Sequence, residues 1–76
     1  MSVPAALLEP FPHKTLWTMQ RQTHRLTAEV VCTDGHWELR LFAQHQLITW
    51  RRFAQRVTAV AYADLLQQDL ERDGWQ

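Results

Sequence analysis

A chain of 76 residues is too short for two domains, and eight basic side chains balanced by eight acidic ones exclude a global field that would draw it to nucleic acid or a membrane surface. An apolar content of 46%, with four tryptophans, excludes a disordered chain and predicts one globular domain. One cysteine, Cys32, excludes an intramolecular disulfide and suits a reducing cytoplasm. No stretch approaches the roughly 20 apolar residues of a membrane span. The first ten residues carry neither Lys nor Arg, and Ala5 to Leu8 is too short an apolar run, so no signal peptide is expected. A core this small is marginal alone, which makes self-association an expected supplement.

Residues 1–14 read as an arm, because Pro4, Pro10 and Pro12 deny it a helix or a central strand. Leu7, Leu8 and Phe11 can pack on their own domain, or the arm can reach across to a second subunit. Residues 15–76 form the expected domain. Thr15 to Thr33 reads as one long extended segment, or two joined by a bend near Gln22 to Arg25. Its first part, Leu16-Trp17-Thr18-Met19, has strand-like residues without clean alternation.

From Leu26 the alternation is clear. Leu26, Ala28, Val30 and Cys32 share one face, and Thr27, Glu29, Val31 and Thr33 the other. Asp34-Gly35 predicts a two-residue hairpin turn with positive φ at both positions. The return strand, His36 to Ala43, sets Trp37, Leu39, Leu41 and Ala43 against His36, Glu38, Arg40 and Phe42. Gln44-His45-Gln46 makes a second turn without Gly or Pro, and Leu47 to Phe53 is the next strand. Its parity is open: Leu47, Thr49, Arg51 and Phe53 alternate with Ile48, Trp50 and Arg52.

Gln55 to Trp75 predicts one amphipathic helix, with Ala59, Tyr62, Ala63, Leu66 and Leu70 on one face and Asp64, Gln68, Glu71 and Arg72 opposite. Its start is weakly marked, since Thr58 is the only cap-type residue nearby. Its end is sharp: Gly74 suits a left-handed C′ position, with Trp75 at C″ and Leu70 at C3. The expected fold is therefore α+β, a three-stranded antiparallel meander covered on one face by the C-terminal helix, with or without an N-terminal extension of the first strand.

Leu26, Ala28, Val30, Trp37, Leu39 and Leu41 choose the sheet face that meets the helix, and Phe53 and Leu47 are assigned to the same side. This leaves Val31, Phe42, Ile48 and Trp50 on the outer face, among Glu29, Glu38, Arg40 and Arg52. A wet outer face should be mostly polar, so this grouping reads as an interface patch. The competing readings are a bulge that turns Ile48 and Trp50 inward and exposes Thr49 and Arg51, and cover of the face by the N-terminal arm.

The series Trp17, Ala28-Glu29-Val30, Gly35, Trp37-Glu38-Leu39-Arg40-Leu41, Arg51-Arg52-Phe53, Ala59 and Gly74-Trp75 resembles a class of short bacterial proteins that carries no assigned activity. That resemblance implies the fold and leaves the function open. A second likeness is to the plant ethylene-response DNA-binding domain, a three-stranded sheet on one helix. Ala28-Glu29-Val30 is similar to its second strand, and Phe53 with Ala59 and Tyr62 to its passage into the helix. Tyr62 is one residue out of register, and the family's basic first strand with its glycines is missing. Such domains reach the major groove with sheet arginines and tryptophans, which implies Arg21, Arg25, Arg40, Arg52 and Trp50 here. Affinity would need a surplus of phosphate-neutralising charge, and Glu29 and Glu38 share that face.

Nothing marks an enzyme. His13, His24, His36 and His45 fall in turns or at strand edges without zinc spacing, so neither metal nor cofactor is expected. Cys32 reads as a small buried hydrophobe with no histidine placed to activate it. Gly35 and Gly74 both have structural explanations, so no loop cradles phosphate. The expectation is a non-enzymatic interaction module, homodimeric, with Val31, Phe42, Ile48 and Trp50 as its centre and Arg40 and Arg52 as its rim. The alternative is a sheet-type DNA- or RNA-binding regulator using Arg21, Arg25, Arg40 and Arg52.

Overall fold

The computed structural model describes residues 13–76, so the part of the expected arm before His13 lies outside the described residues. Four antiparallel strands follow one another across a single sheet: β1 (His13–Arg21), β2 (His24–Thr33), β3 (His36–Ala43) and β4 (Gln46–Phe53). The helix α1 (Arg56–Arg72) closes the fold. The expected class, α+β with an antiparallel sheet and one C-terminal helix, holds, but the three-stranded count does not. The bend at Gln22 is a full reversal, and the segment before it is a strand of its own that begins at His13.

β1 hid its strand character for a physical reason. Thr15 pairs with Glu29 and Trp17 with Ala28, which leaves Leu16 as an extra, bulged residue. A bulge shifts parity by one, so Trp17 and Met19 reach the helix side although Lys14 starts on it. Both side chains are buried, with Ala28, Leu39 and Ala63, in the centre of the core. The alanines matter for geometry. Ala28, Ala59 and Ala63 are fully buried and keep helix and sheet close, and the Trp17 indole N–H donates to the Ala63 carbonyl at 3.1 Å. Leu26, Leu41, Phe53, Leu66, Leu70 and Trp75 pack around this centre.

Two turns use primed geometry. Asp34 and Gly35 both have positive φ, 50° and 78°, as a two-residue hairpin requires. Gln44 and His45 adopt the same geometry, 52° and 75°, without a glycine. Gln44 is held there by its own side chain. Its amide oxygen accepts from the Arg25 backbone N–H at 2.9 Å, and its nitrogen donates to the Thr23 carbonyl at 2.8 Å. His45 makes no such contact and is exposed. His45→Gly is therefore expected to raise the unfolding free energy by about 0.5–1 kcal/mol, through relief of left-handed strain less the entropy of a freer unfolded chain. Urea denaturation reads this as a higher midpoint at unchanged slope; a lower midpoint would contradict it.

The helix starts after Gln55, which is extended and makes no side-chain cap. Its end is a Schellman motif: the Trp75 N–H donates to the Leu70 carbonyl at 3.0 Å, and the Gly74 N–H to Glu71 at 3.1 Å. Gly74 has φ of 95°, and a Cβ there would meet nothing closer than the Arg21 side chain at 3.8 Å. The cost of Gly74→Ala is thus conformational, about 1 kcal/mol, which lowers the melting temperature by about 4–8 °C in a domain of this size. An unchanged melting temperature would show that the left-handed residue is not needed. Beyond the motif, Gln76 exchanges two backbone hydrogen bonds with Gln20, at 2.8 and 2.9 Å, and so covers that part of the β1 edge.

Candidate functional site

The strand register decides which side chains share the outer face. Trp50 lies opposite Arg40 and Arg52 opposite Glu38, while Thr49, Arg51 and Phe53 lie opposite Leu41, Leu39 and Trp37 on the helix face. Near its start β4 has a bulge of its own: Thr49 pairs with Leu41 but Leu47 with Phe42, and Ile48 is the extra residue. Parity reverses there. Phe53 faces the helix as expected, whereas Leu47 joins the outer face beside Phe42. The bulge does not turn Trp50 or Ile48 inward, and each is 52% exposed.

β4 is the edge strand of the sheet among the described residues, and its side chains are exposed throughout except for Phe53. Leu47, 45% exposed, Ile48 and Trp50 form an apolar row along it, flanked by the half-buried Phe42. Val31 shares the face but is only 8% exposed, so it contributes packing rather than contact surface. The other edge, β1, offers no equivalent. Its outer face presents His13, Thr15, Thr18 and Gln20, and Gln76 occupies the backbone at Gln20.

The arginines are not gathered on one surface. Arg21 has the parity of Met19 and lies on the helix side beside Gly74. Arg25, Arg40 and Arg52 are on the outer face. With its amide oxygen turned towards Arg25, Gln20 accepts from Nε and Nη2 at 3.2 and 3.1 Å. The Glu38 carboxylate accepts from Nε and Nη2 of Arg40, both at 3.0 Å. Arg52 stacks its guanidinium 5.6 Å from the Trp50 ring centroid, a cation–π arrangement. With Glu29 opposite Arg40, the outer face alternates in sign and carries no basic stripe.

His24 and His45 flank one surface pocket at the end of the sheet opposite His13 and His36, and no group of three His, Cys, Asp or Glu side chains among the described residues could hold a metal. Cys32, half-buried on the helix face opposite Trp37, has no such group around it. Among the described residues no helix is long and apolar enough to cross a membrane. Sequence reasoning missed Leu47, whose place depends on a bulge that no glycine announces. No protein-family model, curated protein or solved structure matches the chain.

Proposed function

We propose that the protein is a non-enzymatic interaction module that forms a homodimer through the outer face of its sheet. The observation that carries this is the row Leu47, Ile48 and Trp50 with Phe42, apolar and accessible on a face that a lone antiparallel sheet would keep polar. A symmetric pair sets one patch against itself, so the patch must carry both signs of charge. Arg40 and Arg52 alternate with Glu29 and Glu38 around the tryptophan and meet that condition.

Size sets the strength. At about 4.8 Å between strands and 3.4 Å per residue, four strands of eight residues present a face of roughly 500 Å2 in projection. Two such faces bury on the order of 1,000 Å2, the lower limit for a specific interface. The dimer is therefore a concentration-dependent one. The test is the solution mass of Trp50→Asp beside the parent protein. A monomeric variant from an associating parent supports the assignment, and equal association of the two removes it.

The nucleic-acid alternative draws less support, since Arg21 stands on the opposite face and Arg40 is already neutralised by Glu38.

A further inference from the structure

The helix leaves the sheet at the Phe53 corner, and the chain beyond its end returns to Gln20 on β1, so α1 crosses the sheet diagonally. Of the two corners off this diagonal, the one where β3 ends and β4 begins stays open on the helix side. A cleft of about 410 Å3 opens there, with Leu39, Leu41 and Leu66 as its floor and Thr49, Trp50, Arg51 and Tyr62 along its mouth. That volume lies within the range of ligand sites. One wall is fixed in place: Arg51 Nη1 donates to the Tyr62 hydroxyl at 3.1 Å, and the guanidinium sits 4.8 Å from the ring centroid. The mouth runs along β4, whose outward N–H and C=O groups face no strand among the described residues.

Charge identifies the occupant. Residues 46–58 hold Arg51, Arg52 and Arg56 and not one carboxylate, within a chain whose net charge is zero. All three arginines are exposed, and none forms an ion pair among the described residues. A second β4 laid alongside would add two more arginines and no acid, so a copy of this chain is disfavoured at this edge. We infer that the β4 edge and the cleft behind it receive an extended peptide of another protein, in which apolar and acidic side chains alternate, as a fifth strand of the sheet. Its apolar side chains enter the cleft over Leu41 and Leu66, and its carboxylates meet Arg52 on the outer side. Main-chain pairing supplies affinity and the cleft supplies selectivity. This goes beyond the dimer reading, because it uses the edge and the helix face and shares only Trp50 and Arg52 with the dimer surface.

The test is an amide chemical-shift titration of the whole chain with a capped peptide of alternating leucine and glutamate, and with its leucine–lysine counterpart. The expected result is saturable shifts along β4 with the glutamate peptide, at least about tenfold weaker with lysine. Leu66→Arg, which fills the cleft, should weaken binding by about tenfold. Phe42→Thr, which removes part of the outer patch on β3 away from the edge and the cleft, should leave it within about threefold, whether or not the parent dimerises. Equal binding of the two peptides, shifts confined to β1, or no saturable shift at millimolar peptide would overturn the inference.

Discussion

Trp17→Ala is expected to destabilise the domain by about 3–5 kcal/mol, the range for deleting a buried aromatic side chain. Trp17 is 8% exposed and sits at the centre of the core with Met19, Ala28, Leu39 and Ala63. It also spans the two layers, because its indole N–H reaches the Ala63 carbonyl from 46 residues away in the chain. A single domain has only about 5–15 kcal/mol in total, and one this small sits near the bottom of that range. The variant should therefore be largely unfolded, or nearly so, at room temperature. Trp17→Phe separates the two contributions: it keeps most of the bulk, loses the hydrogen bond, and should cost about 1–2 kcal/mol. Urea denaturation followed by helical circular dichroism measures both, at one fixed protein concentration because a dimer gains stability with concentration. A loss below 1 kcal/mol for the alanine variant would show that β1 is not part of the cooperative core.

Trp50→Asp is expected to act in the opposite sense, with a small effect on folding and a large one on association. Half of the Trp50 surface is already exposed, and its contacts within the chain are the Arg40 neighbour across the strands and the stacked Arg52. Losing these, together with the poor strand propensity of aspartate, costs about 1 kcal/mol of folding stability. In the dimer, the exposed half of a tryptophan is about 100 Å2 of apolar surface, worth about 2.5 kcal/mol at 25 cal/mol per Å2. A symmetric interface counts it twice, so the dissociation constant should rise by about four orders of magnitude. Sedimentation equilibrium reads this directly. A variant that associates as tightly as the parent would place the interface elsewhere.

The elements legible in the sequence were those whose signals are local. Gly74-Trp75 after Leu70 specified the helix end, Asp34-Gly35 the β2–β3 turn, and the alternation of Leu26 to Cys32 and Trp37 to Ala43 the inward face of the two central strands. Both edge strands were harder, for one shared reason: each contains a bulge. Leu16 broke the alternation that would have identified β1, and Ile48 put Leu47 and Trp50 on the same side although they are three residues apart. The turns next to them lack glycine. Gln22 and Gln44 adopt positive φ, and Gln44 does so with hydrogen bonds to a neighbouring turn that no local pattern encodes. Trp50 and Arg52 as exposed outer-face residues were readable from parity once Phe53 had to face the helix. The cleft beside α1 was not, because it depends on the diagonal path of the helix, set by Gln76 returning to Gln20.

If the outer sheet face is an interface between copies of this chain, the mass in solution depends on concentration. Light scattering after size exclusion, over a hundredfold range of concentration, tests that most directly. A homodimer through this face gives a mass that climbs from the 9.0 kDa of one chain towards twice that value as concentration rises. A mass that stays at one chain throughout would contradict it.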